Sequence, residues 1–420
     1  MTRRAGVLLL AALALRAGLA VLTETHPLFP PYYYQDAKDF HESALRVNAE
    51  LASGKRLSRL TPGKELYTRW TAFLYRRFGP KPLVSKFVNA ALGAGGAGLW
   101  GLAAACAAGP EAATVVVALV GFWPSHAYYT SQAMKDSATL FALASTILLF
   151  CLASREGDSR RRGFFGAGGA AAGLLLGLLR PYLLPPLAIA VGVGALAALK
   201  PGRGSGRAAA AALLLWGLAP LAAYRPVKGL LLNTLAAKAR HEDTDILPRN
   251  TGASPSGPLA TAPLWTPRGL SQYRASLLGI TRDWSVYNTG RPIETLLFPE
   301  ARFESWSQVA LFAPKAAFYA LFMPLPGLYP MEGKIGRMLS AAEGLLLLAL
   351  AALAVIGLKG RALTPAASLL LAFFVVSVPA ASFVEFDLGS ASRHRLQYLP
   401  FLFPFAAAEL ARRASRRAPR

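Results

Sequence analysis

Residues 137–153 read SATLFALASTILLFCLA, seventeen residues without a charged side chain, and they follow directly on Lys135-Asp136. A hydrocarbon core roughly 30 Å thick is crossed by about 17–25 mainly apolar residues at 1.5 Å rise per residue. Working outward, the same kind of run recurs at 5–22, 86–106, 112–130, 163–179, 181–199, 208–224, 339–358, 362–384 and 396–411. Ten crossing helices are therefore expected. The fold class they imply is an all-α polytopic membrane protein, with one integral membrane domain over residues 1–420. The Gly93-Ala94-Gly95-Gly96-Ala97-Gly98 stretch within 86–106 adds that helices approach closely there, since small residues let backbones meet.

Bulk composition agrees. Hydrophobic residues make up 54% of the chain and charged residues 16%, with mean hydropathy +0.37, which excludes an ordinary soluble domain and a disordered chain. The net charge of +23 does not indicate nucleic acid, because Lys and Arg sit between apolar runs, as in loops at an anionic membrane surface. Part of that charge is available for a phosphorylated ligand. Cys106 and Cys151 both fall within apolar runs and read as buried small hydrophobes, not as a disulfide or metal ligands. The Met1-Thr2-Arg3-Arg4 start is read as leading into an uncleaved first helix, because apolar sequence resumes after Arg16.

Orientation follows from basic clusters: Arg3 and Arg4; Arg155 with Arg160, Arg161 and Arg162; Lys200, Arg203 and Arg207; Lys359 and Arg361; and Arg412, Arg413, Arg416, Arg417 and Arg420. All belong on the cytoplasmic side. They do so only if the short apolar segment 316–330, with Pro324, Pro326 and Pro330, lies at the interface or re-enters without crossing. Both termini are then inside, and two long loops, 23–85 and 225–338, face outward.

The residues able to carry chemistry gather on that outer side. The first loop holds Asp36-Ala37-Lys38-Asp39-Phe40-His41-Glu42. A helix from Asp39 would put Asp39 and Glu42 on one face, with Asp36 ahead of them as an N-cap. A carboxylate here suits a general base, or a metal beside a phosphate; a solvated, capped helix start is the plainer alternative. Lys135 and Asp136 stand at the mouth of a span, where charge is paired or functional. Arg180, before Pro181 and Tyr182, breaks the positive-inside pattern, as do Arg393 and Arg395 in the last outer turn. Guanidinium forks match phosphate oxygens, so all three are candidate phosphate ligands; snorkelling or anchoring is the structural alternative. Arg16, inside the first span, faces either the bundle or the outer interface.

The combination of Asp36-Ala37-Lys38-Asp39-Phe40-His41, Trp123-Pro124 through Lys135-Asp136, Leu179-Arg180-Pro181, Pro324-Leu325-Pro326 and Arg393-His394-Arg395 with Pro400 resembles a known family. It is similar to the GT-C fold glycosyltransferases that use polyprenyl-phosphate sugars, family 39, within the bacterial protein O-mannosyltransferase-like superfamily. The lipid A aminoarabinose transferases and rhizobial lipopolysaccharide transferases are similar too. Members often carry an Asp-Glu pair in the first loop. Here Asp36 precedes Ala37, so the second carboxylate is either missing or displaced, to Asp39 or Glu42.

The resemblance implies an inverting sugar transfer on the outer face of the inner (plasma) membrane. The donor would be a polyprenyl-phosphate sugar and the acceptor a glycan, lipid or protein. Asp36 would be the catalytic carboxylate, with Asp39 and Asp136 in the catalytic set. Asp136 would orient Lys135 or line the acceptor pocket. Lys135, Arg180, Arg393 and Arg395 would bind the donor phosphate. No cofactor is required: a divalent cation is compatible, but the basic residues can neutralise a monophosphate themselves. Two other readings are an O-antigen polymerase or ligase, with its key residues in a late loop such as Arg240-His241 and Arg249, and a lipid-linked sugar flippase or transporter. The second expects internal repeats with broken helices, and none is evident.

Overall fold

The computed structural model describes residues 2–29, 35–54, 57, 60, 63–199, 206–236, 262–263, 266–290, 293, 295–330, 335–385 and 387–417. Tyr32, Tyr33, Tyr34, Lys200, Arg203, Arg240, His241, Arg249 and Arg420 lie outside the described residues. The described chain is a succession of helices: α1 Arg3–Thr25, α2 Gln35–Ala52, α3 Glu65–Phe78, α4 Pro82–Ala108, α5 Pro110–Phe122, α6 Pro124–Tyr129, α7 Asp136–Arg155, α8 Ser159–Leu179, α9 Leu184–Ala198 and α10 Gly206–Ala236. There follow α11 Pro267–Thr289, α12 Trp306–Phe322, α13 Ile335–Leu358, α14 Pro365–Val384, α15 Leu388–His394 and α16 Leu399–Arg417. Among the described residues the only β pairing is the isolated bridge between Leu296 and Asp387.

Eight of these helices are long and apolar enough to cross a membrane: Arg3–Thr25, Pro82–Ala108, Asp136–Arg155, Ser159–Leu179, Pro181–Ala198, Gly206–Gly229, Ile335–Leu358 and Pro365–Val384. The other two expected spans are also helical but differ in form. Segment 112–130 is broken where Trp123 turns extended and Pro124 starts α6, leaving α5 only 13 residues long. A proline ring removes one N–H and clashes with the preceding turn, so it starts a helix more readily than it continues one. The last span, 396–411, starts in a 3-10 turn at Arg395–Gln397 and continues into α16, whose end carries Arg412, Arg413, Arg416 and Arg417. Of segment 316–330 only Ala316–Phe322 is helical, as the end of α12; Met323–Pro330 is irregular, and the helix starts N-terminally at a Ser305 cap that accepts from the Gln308 amide at 3.3 Å.

The chain divides into two compact units, one of Met1–Ile246, Ala351–Phe374 and Leu399–Arg420, the other of Leu247–Leu350 and Val375–Tyr398. In the first, α4 is the helix against which α1, α5 and α7 lie, and its glycines explain how. A Cβ on Gly93 would sit 2.5 Å from the Thr130 hydroxyl and 2.9 Å from Arg16 Nε. One on Gly101 would sit 2.5 Å from a Val117 methyl, and one on Gly98 3.2 Å from Leu9. Apolar helices in lipid gain little from water exclusion, so close backbone approach and dispersion supply the association. Aromatic packing seats α16: Phe401 stacks on Phe373 at 4.2 Å and meets Trp100 edge-on at 4.7 Å.

Arg16 faces the bundle. It is fully buried, and all five guanidinium protons find acceptors. Nε donates to Thr130 at 2.9 Å, one terminal nitrogen to the Ala12 and Gly121 carbonyls, and the other to the Val120 carbonyl and His126 Nδ1. Val120 and Gly121 close α5, where carbonyls lack helical partners and the dipole is negative, so a cation there satisfies both.

Arg16→Met should lower stability by at least about 3 kcal/mol, because buried carbonyls lose charged donors. Gly93→Val should do similar damage at the same junction. Thermal unfolding of the detergent-purified protein checks both; an Arg16→Met variant that melts with the wild type would show that the guanidinium is not structural.

Candidate active site

Five of the seven residues singled out in the sequence lie in the first unit: Asp36, Asp39, Lys135, Asp136 and Arg180. They converge through one residue that the sequence reading passed over, Lys64. The loop after α1 folds as α2 and α3, joined by a small apolar core of Ala44, Val47, Leu60, Ala72 and Tyr75. Asn48 ties the two by donating to the Ala72 carbonyl at 3.0 Å, and Phe40 meets Tyr67 edge-on at 4.8 Å.

The helix α2 begins at Gln35, so Asp36 belongs to its first turn instead of capping it. All three carboxylates then lie in one helix at intervals of three residues. Asp36 and Asp39, three residues apart, now share the face, and Glu42 turns toward Lys38 at 3.8 Å on the exposed side. Lys64 Nζ stands 3.0 Å from Asp36 Oδ1 and 3.3 Å from Asp39 Oδ2, about a quarter exposed. Asp36 and Asp39 thus share Lys64, while Glu42 meets Lys38.

Lys64 precedes the first turn of α3, where the helix dipole repels a cation. The two aspartates offset that repulsion. Burial lowers the lysine pKa, but Asp36 and then Asp39 favour the ammonium, and the net shift is upward from the ordinary 10.5. A raised folded-state value means that the stabilisation is complete below the ordinary lysine range. It is lost only as pH climbs through the raised value. Gly63, at φ +77°, makes the turn before Lys64, a conformation that glycine adopts without strain.

The Gly63 carbonyl carries the link onward. It accepts from Lys135 Nζ at 2.8 Å, and Lys135 also reaches the Leu179 carbonyl at 3.4 Å. Beside it, Arg180 donates to Asp136 Oδ1 at 2.9 Å and to the Tyr182 hydroxyl at 2.8 Å. Asp136 is thus seen engaging Arg180. The helix ends account for this: Asp136 opens α7 and Arg180 closes α8, the termini where an anion and a cation are each favoured. Both side chains are almost fully buried, where breaking such a pair is expensive.

The turn that delivers Lys135 and Asp136 is held by Asn89 of α4. Its amide nitrogen lies 2.5 Å from the Gln132 carbonyl, 2.8 Å from the Met134 carbonyl and 2.8 Å from the Tyr67 hydroxyl. Two protons cannot serve three acceptors, so the carbonyls, which have no proton of their own, take them first. Burial pushes the Tyr67 phenol upward, and it pushes that of Tyr75, bonded to His41 at 2.9 Å, up to about 12. Neither tyrosine is set to lose its proton near neutrality.

Arg393 and Arg395 belong to the second unit. Arg395 is fully buried. It donates to the Leu321 and Met323 carbonyls at 3.3 and 3.4 Å, to Ser340 at 3.3 Å and to Glu343 at 2.9 Å. Its guanidinium fastens the end of α12 to α13. Arg393 is half-buried on α15, next to His394, which bonds Glu385. Arg274, equally buried, holds the Phe383, Leu297 and Phe298 carbonyls. Among the described residues, no group of three or more His, Cys, Asp or Glu is placed to hold a metal ion. The shared cation of Asp36 and Asp39 is Lys64.

Lys64 was reachable from the sequence. Gly63-Lys64-Glu65 leads into a helix, and a lysine at a helix start runs against the dipole. What the sequence does not state is the partner, 28 residues away.

Lys64→Met should leave two adjacent carboxylates without their cation. It should abolish whatever chemistry Asp36 performs, while Lys64→Arg restores part of it; activity of both variants alongside their melting temperatures checks this. Asp136→Asn should destabilise by about 3 kcal/mol and couple strongly with Arg180→Gln in a double-mutant cycle. Coupling with Lys135→Met instead would show that Asp136 serves the lysine.

No family model matches the chain, and no curated protein matches it. Among solved structures, the chain is similar to ArnT from Cupriavidus metallidurans in the apo state, with 15% identity, TM-score 0.34, and coverage of 90% of this chain and 73% of that one. It is likewise similar to ArnT from Cupriavidus metallidurans bound to undecaprenyl phosphate, with 14% identity, TM-score 0.37, and coverage of 97% and 78%.

Proposed function

We propose that this chain is a membrane glycosyltransferase that moves a sugar from a polyprenyl-phosphate donor to an acceptor hydroxyl on the outer face of the membrane. One observation carries the reading. Two carboxylates, Asp36 and Asp39, share Lys64, and the carbonyl of the neighbouring Gly63 receives Lys135, so acid–base and anion-binding groups adjoin at one end of apolar helices. The motif resemblance supports the same reading.

In this mechanism Asp36 accepts the proton of the acceptor hydroxyl. The freed oxygen attacks the anomeric carbon, the bond from that carbon to the phosphate oxygen breaks, and polyprenyl phosphate leaves with the electron pair. Inversion follows from attack opposite the leaving group. Lys64, 3.0 Å from Asp36 Oδ1, holds that carboxylate in place beside the acceptor. Lys135 and Arg180 receive the charge that grows on the phosphate. Asp136 holds Arg180 at the mouth of the spans. Arg393 and Arg395 enter as donor-phosphate ligands through the resemblance alone. An embedded enzyme suits a donor whose chain is itself hydrocarbon, since the apolar tail then never leaves the lipid.

Asp36→Asn should reduce transfer by about 10²-fold or more, the size of a general-base contribution. The measurement is mass spectrometry of glycans, lipids and proteins from cells carrying the wild type or the variant. An unchanged profile would sink the proposal. So would purified protein that moves a lipid-linked sugar across liposomes without transferring it.

A further inference from the structure

Within the first unit, α4 and α7 each run away from the carboxylate cluster. Asn89 and Asp136 mark the near ends; Ala108 and Arg155 mark the far ones. The twenty residues of α7 cover about 30 Å, so its two ends fall in opposite headgroup layers. At the far end lies a cavity of about 680 Å³, lined among others by Cys106, Ser154, Arg155, Arg361, Thr364 and Phe405. Two basic clusters far apart in the chain, those of Arg155 and Arg361, thus meet around one space.

Each arginine is held at a helix end and not by a carboxylate. Arg155 donates to the Cys106 carbonyl at 3.3 Å and Arg361 to the Ala108 carbonyl at 3.1 Å, both in the last turn of α4. Among the described residues neither has an ion pair. The adjacent Glu156 is turned back onto the Gly157 and Asp158 amides at 2.9 and 3.2 Å. The remaining wall is largely apolar, from Ala105, Leu358, Leu363 and Phe405. Two uncompensated guanidinium groups above an apolar wall, at headgroup depth, have the chemistry of a phosphodiester with attached acyl chains.

We propose that this cavity binds one anionic phospholipid of the leaflet opposite the Asp36–Asp39–Lys64 cluster, its phosphate between Arg155 and Arg361. The site is separate from the sugar-transfer reading and stands without it.

Cys106 lines the cavity and is partly exposed, whereas Cys151 is buried, so maleimide labelling of the full-length protein in detergent reports occupancy. Added phosphatidylglycerol should slow Cys106 labelling, while phosphatidylcholine and inorganic phosphate should not. Arg155→Gln and Arg361→Gln should each weaken that protection about fivefold, the factor that about 1 kcal/mol per headgroup-facing arginine corresponds to. Arg160→Gln, in the same basic cluster but outside the cavity, should leave it unchanged. Native mass spectrometry of the wild type should retain one phosphatidylglycerol, a reading that needs no variant to fold. Protection by phosphatidylcholine to the same degree would overturn the proposal. Protection by phosphate alone, or no protection by any of the three, would do so equally.

Discussion

A charge inside a hydrocarbon layer has no water to turn to, and most of this architecture answers that constraint. Every buried cation described above ends on helix-terminal carbonyls, on a carboxylate, or on both. Arg16 takes the carbonyls that close α5, Arg180 takes the carboxylate that opens α7, and Arg395 takes Glu343 with the carbonyls that close α12. Helix ends are where unpaired backbone groups and the dipole coincide, so they accept charge at least cost. The breaks in the helices and the positions of the charges are therefore one feature. Trp123-Pro124 interrupts a span, and the carbonyls freed by the interruption are those that hold Arg16.

The same logic concentrates reactive groups at one end of the first unit. Lys135 and Asp136 start α7, Arg180 ends α8, and α2 and α3 bring Asp36, Asp39 and Lys64 to them. Each group is paired across elements, so none is left to fold back on its own helix. Such pairing holds the cluster together, and the aspartates beside Lys64 favour its ammonium form. A site built on helix ends and held from its flanks in this way is organised before any ligand arrives.

Much of this was legible beforehand, and the limits of legibility are specific. The run 137–153 and its counterparts identify membrane helices, because length and apolarity are local properties set against a fixed bilayer thickness. The candidate residues Asp36, Asp39, Lys135, Asp136 and Arg180 were also visible, because an isolated charge beside an apolar run is conspicuous. Their partners were not. Asp36 and Glu42 each stand three residues from Asp39 and are equivalent companions in sequence; the fold distinguishes them by bringing Lys64 to Asp36 and Asp39. Asp136 stands next to Lys135 in the sequence, and the fold adds Arg180, 44 residues away, as a partner.

What the amino-acid sequence determines by itself is the helical, membrane-embedded class, the small-residue seams such as Gly93, and the roster of charged residues at the helix ends. What only the tertiary structure decides is which of those charges meet. Lys64 is joined to Asp36 and Lys135 to Gly63 across 28 and 72 residues, and Arg16 turns inward to the closing carbonyls of α5. The reason is physical: hydropathy is a property of each segment, whereas an ion pair is a property of two segments and of the packing that sets their distance.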